Sequence, residues 1–273
     1  ILANQSHDNS LSALSDTSES DLYSKYSITA GFNYPNKSGS ISGFFSQING
    51  KQELDDPYAS YTDDADFYTE STKYINKLSY SINYNDTIST QIQWGKNTIE
   101  RTYKNIADVN SSSTQDSVYS SNTESIDTTT SFDLPNNQQL YIGSTISYES
   151  GESSGTWGGD WGSSSTTIEN QLDVKYAAYS NYLNTNKWLS TQLGARVERY
   201  QQNTENKYTS AYQISLFRTL PLINVDIKGS LKSGYKMPSL YQRYAPYAGN
   251  ANLLIEESET KELTLSKQYK NIK

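Results

Sequence analysis

Apolar and polar residues alternate along most of this chain. Between Lys73 and Tyr84, Tyr74, Leu78, Tyr80, Ile82 and Tyr84 share one face, while Lys73, Lys77, Ser79, Ser81 and Asn83 share the other; Ile75 is the exception. Between Asn224 and Tyr235, Val225, Ile227, Leu231 and Tyr235 oppose Asp226, Lys228, Ser230 and Lys232. Leu140, Ile142, Ile146 and Tyr148 repeat the pattern, as do Leu189, Leu193, Ala195 and Val197 against Gln192, Arg196 and Glu198. A period of two is the signature of a strand with one apolar face. About eleven such segments are present, most of them about 10–16 residues long, whereas strands of globular proteins usually run about 5–6. A tilted strand needs about 9–11 residues to cross a bilayer.

The connections alternate as well. Short turns are predicted at Pro35-Asn36-Lys37, Asn85-Asp86, Pro135-Asn136-Asn137, Thr185-Asn186 and Pro221-Leu222. Between them lie long polar stretches at about 49–68, 103–117, 150–165 and 236–258, and a short link near 201–206. One end of the sheet thus carries tight turns and the other elaborate loops. With tyrosines at strand ends, this predicts an all-β, antiparallel transmembrane β-barrel with short periplasmic turns and long extracellular loops. The tyrosines would form interfacial girdles, ring in lipid and hydroxyl in water. A soluble sandwich or adhesin remains the alternative, and it would have to bury the apolar face under a second sheet.

Composition sharpens this picture. Only 34% of the 273 residues are hydrophobic, where a soluble globule has about 45–50%. Yet aromatics reach 12%, with 24 Tyr and 4 Trp, unlike disordered chains. A sheet with one wet face accounts for both. The net charge of -8 leaves no basic patch to neutralise phosphates, so no nucleic-acid partner is expected. The chain has no cysteine, which excludes a disulfide framework and thiolate metal sites. Its one imidazole, His7, lies in a polar N-terminal segment, 1–20, that reads as a loop or the end of a first strand. Neither a nucleophile elbow, a P-loop nor a dinucleotide fingerprint is present, so no catalytic residue and no enzyme activity is expected.

The stretch from Tyr235 to Glu262 resembles a motif of TonB-dependent receptors, the energised nutrient transporters of Gram-negative outer membranes. The residues that carry the resemblance are Tyr235-Lys236-Met237-Pro238-Ser239-Leu240, then Gly249-Asn250-Ala251-Asn252-Leu253, then Glu256-Glu257-Ser258 and Glu262. Met237 stands where the family usually has alanine, and Ala251 and Ile255 where it has prolines. The layout of the remaining segments is similar to the cobalamin and siderophore receptor branch. The resemblance implies a 22-stranded barrel filled by a plug domain. Residues 21–273 would then be about half of that barrel, a piece without the plug that touches TonB. It also implies active uptake of a large scarce nutrient, cobalamin or a ferric siderophore, across the outer membrane. A passive porin is the alternative within the barrel class.

Three stretches are candidate sites. In "ELDDPYASYTDDADFY", Asp55, Asp56, Asp63, Asp64 and Asp66 crowd five carboxylates into twelve residues. Such a cluster needs water or a hard cation with oxygen ligands, and the resemblance to cobalamin receptors implies a structural Ca2+ in this 53–66 loop. The glycines and serines of "GESSGTWGGDWGSSS" predict a flexible loop that exposes Trp157 and Trp161 to a ligand or the barrel rim. The stretch after Pro238 presents Tyr241, Arg243, Tyr244 and Tyr247, residue types that make large contacts with few rotors. It is expected to be an outward loop at the mouth, with Arg243 available to an anionic ligand.

Overall fold

The computed structural model describes residues 2–11, 20–54, 66–108, 111–186, 188–202 and 205–267. They form twelve strands, one more than the pattern predicts. These are β1 (Leu2–Leu11), β2 (Ser20–Asn36), β3 (Gly39–Glu53), β4 (Tyr68–Asn83), β5 (Ile88–Asn105), β6 (Thr114–Leu134), β7 (Gln138–Gly159), β8 (Gly162–Asn184), β9 (Ser190–Gln202), β10 (Glu205–Leu220), β11 (Val225–Lys236) and β12 (Glu256–Lys267). One helical turn, α1 (Leu240–Tyr244), lies between β11 and β12. Each strand pairs with the next in a single twelve-stranded sheet that ends on β1 and β12 and does not close. β1 falls within the polar N-terminal segment, and His7 stands on it beside Gln5, exposed.

Register explains why the alternation predicts faces so well. Residues directly opposite each other in an antiparallel pair point to the same side. Ile88, Phe132, Leu140, Tyr182, Leu193, Ile214 and Leu231 stand opposite one another from β5 to β11 and make one continuous apolar row. Leu193 and Ile214 each keep 42% of their surface exposed, and Val197 on the same face keeps 58%. All described strands belong to one sheet, so no second sheet of these residues covers that face. An exposed apolar surface of this extent marks contact with a partner or a membrane.

The opposite face is polar and held by cross-strand side-chain bonds. Ser89 and Ser131 hydroxyls lie 2.7 Å apart. Asp127 accepts from Thr145 at 2.7 Å, Thr129 at 3.1 Å and the Tyr179 hydroxyl at 3.1 Å. Buried apolar residues are few, and Ile168, Leu240 and Ala245, in β8 and around α1, are three of them.

The tight turns lie where the sequence predicts them. At Pro135-Asn136-Asn137 both asparagines take a left-handed backbone, φ 61° and 59°, which asparagine tolerates at low cost. The other end departs from expectation at the β7–β8 connection. Residues 150–165 are not a flexible loop, because β7 and β8 stay paired out to Gly159 and Gly162. Only Asp160 and Trp161 form the turn, and Gly162 supplies its positive φ of 114°. The long regular strands simply carry their ladder through the Gly/Ser stretch.

Candidate functional site

β8 contains one irregularity that shapes the polar face. Its register with β7 shifts between Gly151 and Ser153, so that Gly151 faces Gln171 but Ser153 faces Ile168. One extra residue in β8 is a β-bulge, which reverses the alternation beyond it. Strict alternation back from Tyr176 and Leu172 would put Ile168 on the apolar face. The bulge puts it on the polar face, in a row that runs Lys25, Gly50, Ser71, Arg101, Tyr119, Ser153, Ile168 from β2 to β8.

α1 seats on this face, not outward in solution as the sequence suggests. Ser239 caps it reciprocally: its Oγ accepts from Gln242 N at 3.2 Å, and its own N–H donates to Gln242 Oε1 at 2.9 Å. This capping box closes one helical turn. Leu240 and Arg243 then share a side, as residues three apart do, and both are buried. Leu240 lies over Gly151, and the Arg243 guanidinium pairs with Asp173 of β8. Beside them Lys175 holds Glu149 at 2.8 Å.

Between α1 and the sheet lies a recess of about 530 Å3. Its apolar lining comes from Ile99, Ile168 and Leu240, its rings from Tyr103, Tyr119 and Tyr241. Tyr103 and Tyr119 meet edge to face, with centroids 5.8 Å apart and planes at 85°. Across Tyr119 and Tyr241 lies a smaller cavity of about 280 Å3, bounded also by Trp157 and Tyr247. On the other side, sharing Ile99, Arg101 and Tyr103, a third hollow of about 550 Å3 extends to Lys25 and Lys73. Among the described residues no carboxylate lines this third hollow, although the chain as a whole is acidic. Among the described residues, none pairs with Lys25, Lys73 or Arg101 in an ion pair.

The sequence candidates divide accordingly. Trp157, Tyr241 and Tyr247 meet around the smaller cavity. Trp161, at 103% exposure, stands at the tip of the β7–β8 turn, away from all three hollows. Arg243 is not offered to a ligand: its side chain is 4% exposed and committed to Asp173. Tyr244 lies under that guanidinium at 5.1 Å, forming part of the seat. The cation that does face the recess is Arg101. Arg101, Tyr103, Tyr119 and Ile168 escaped the sequence reading, because only register brings these residues of β5, β6 and β8 together on one face. Of the acidic loop, Asp55, Asp56, Asp63 and Asp64 lie outside the described residues, and Asp66 accepts from Ile106 N at 3.4 Å. Among the described residues no three His, Asp or Glu side chains converge on a metal position, so Asp66 alone supplies no donor set.

A sequence profile for the "TonB dependent receptor-like, beta-barrel" family matches residues 5–272. No curated protein sequence matches the chain. Several solved structures share the fold. "Copper transporter OprC" superposes with a TM-score of 0.75 at 10% identity, covering 98% of this chain and 46% of that one. The ferric yersiniabactin uptake receptor FyuA from Yersinia pestis gives 0.67 at 12% identity, with 98% and 46% covered. The siderophore receptor PiuA from Acinetobacter baumannii gives 0.66 at 11%, with 96% and 50% covered. The chain therefore spans about half the length of the solved relatives it matches.

Proposed function

The chain belongs to the TonB-dependent receptor-like β-barrel family, and from that premise we propose that it is part of an outer-membrane receptor for active uptake of a large scarce nutrient, cobalamin or a ferric siderophore. The apolar face lies against outer-membrane lipid, and the polar face looks into the lumen. The ligand enters from the long-loop end and contacts the recess beneath α1. TonB acts through a plug domain outside residues 1–273. No step of this reading needs a catalytic residue or a nucleic-acid partner.

The observation that carries the reading is the run of hollows on the polar face, with tyrosine rings at one side and, at the other, Lys25, Lys73 and Arg101, which form no ion pair among the described residues. Rings give large contact area, and a cluster of cations attracts an anion. Between the two ligand classes, this charge favours an anionic ferric chelate. The similar structures include a copper transporter and a ferric yersiniabactin uptake receptor, so the residues of the recess, and not the fold, must select.

The same reading gives the acidic loop a structural Ca2+ held by Asp55, Asp56, Asp63, Asp64 and Asp66. The test of the uptake reading is binding to the full-length protein in outer-membrane vesicles, with cyanocobalamin and an Fe(III)–catecholate chelate as probes. Saturable binding of the chelate that weakens in Arg101→Gln supports it. Saturable binding of cyanocobalamin alone redirects it to the other class, and size-limited diffusion of both without saturation returns it to a porin.

A further inference from the structure

The segment between β11 and β12 is built as one body on two joints. From Ser239 to Leu253 it is bonded to itself: Ala245 N donates to Tyr241 O at 2.8 Å, Gly249 N to Ala245 O at 2.7 Å, Asn250 N to Gln242 O at 2.9 Å, and Leu253 N to Asn250 O at 3.1 Å. Gly249 is required for this closure, because a Cβ there would lie 2.6 Å from both the N and the O of Ala245. The flanking pairs Met237–Pro238 and Leu254–Ile255 make no backbone hydrogen bond among the described residues.

A short set of side chains seats this body on the sheet. Leu240 covers Gly151, Arg243 pairs with Asp173 above the Tyr244 ring, and Ala245 is buried beside them. Tyr241 and Gln242 stay exposed, and Tyr247 is 92% exposed with a left-handed φ of 63°. Arg243 Nε is buried with no acceptor, so the seated state leaves a donor unsatisfied that release would return to water. A buried ion pair is costly to break from one side only, since the other charge is then stranded. When the body lifts, both partners meet water and that penalty vanishes.

We propose that α1 is a hinged roof on the ligand recess, that Arg243 and Asp173 are the positioning pair that seats it, and that the seated roof limits the size of ligand the recess admits. Seated, it holds Tyr241 between the 530 Å3 recess and the 280 Å3 cavity. Lifted, it joins them into one. The inference rests on the recess being the ligand site, but its test uses no ligand, so a failed uptake assay and a failed roof are told apart.

The chain has no cysteine, which makes the test direct. A Cβ placed on Gly151 lies 4.0 Å from Leu240 Cβ, inside the about 3.5–4.5 Å that a disulfide spans. In the full-length receptor in its membrane, Gly151→Cys with Leu240→Cys is expected to close a disulfide under mild oxidant. Adding Asp173→Ala is expected to slow closure at least about tenfold, and the swap Asp173→Arg with Arg243→Asp to restore it. A single Tyr119→Cys reports access: N-ethylmaleimide is expected to label it much faster than fluorescein maleimide, and Asp173→Ala to remove that size preference. No disulfide at all, closure that ignores Asp173, or a size preference unchanged by Asp173→Ala would each overturn the roof.

Discussion

Tyr235 donates its phenolic hydroxyl to Glu198 Oε2 at 3.0 Å, on the face opposite the one its place in the alternation predicts. It also meets Arg196 Nε at 3.1 Å, and Arg196 holds the same Glu198 at 2.6 Å. The β10–β11 register ends at Gln213 and Lys232. Beyond it Tyr212 N donates to the Ser233 side chain at 2.9 Å, so the ladder is already irregular when Tyr235 is reached. The family-like motif thus begins with a tyrosine tied to the polar face, and the chain enters the α1 segment from that side.

This triad sets the first prediction. Glu198 is 7% exposed, and hydrogen bonds to charged groups contribute about 1.5–3 kcal/mol. Tyr235→Phe is expected to lower stability by about that amount in urea unfolding of the refolded barrel in micelles. Glu198→Ala should cost more, because it strands Arg196. A Tyr235→Phe variant as stable as the parent would mean that the phenol is solvated and not part of the wall.

Neighbouring residues on β10 separate the two faces cleanly. Ile214 belongs to the apolar row, while Gln213, next to it, stands on the polar face. If the apolar face meets lipid, Ile214→Lys should cost about 2–4 kcal/mol near the bilayer midplane, read as lost folding into liposomes. Gln213→Lys should fold nearly as the parent does. Equal effects at the two positions would argue that the apolar face is covered by protein.

The recess makes a ranked prediction about binding. Tyr103 and Tyr119 pair edge to face, a geometry that contributes about 0.5–1.5 kcal/mol beyond area. Replacing either by alanine should weaken chelate binding up to about tenfold, with Arg101→Gln comparable. Trp161→Ala, at the exposed turn, should leave affinity within about twofold, since nothing holds that ring near the ligand. Titration of the Fe(III)–catecholate probe against the four variants decides the order. A dominant loss at Trp161 would move the site to the loop tips.

Strand periodicity carried most of this architecture, because the apolar face repeats every second residue over unusually long runs. Leu231 and Leu193 could each be assigned to the apolar face of its own strand before any register was known. The errors arose where a single residue breaks the period. The bulge opposite Glu152 is invisible in "TTIENQLDV", since either side of it reads as good alternation. Ile168 consequently reads as an apolar-face residue. Arg243 was legible as a recognition residue by type but not by environment, because Asp173 lies 70 residues away. Only the capping box at Ser239 and Gln242 hints that the segment turns into a helix.

The acidic loop supplies the last prediction. Five carboxylates from Asp55 to Asp66 repel one another strongly at low ionic strength unless a cation or water intervenes. If the loop holds Ca2+, micromolar to millimolar Ca2+ should protect it from a protease that cuts at Tyr58 and Tyr61, and EGTA should restore cleavage. Mg2+ should be a poor substitute, because it demands tight octahedral geometry and gives up its water reluctantly. Replacing Asp63 and Asp64 together by asparagine should abolish the Ca2+ effect while leaving the fold intact. Protection that is absent, or that Mg2+ matches at equal concentration, would show a solvated acidic loop whose charge is only screened.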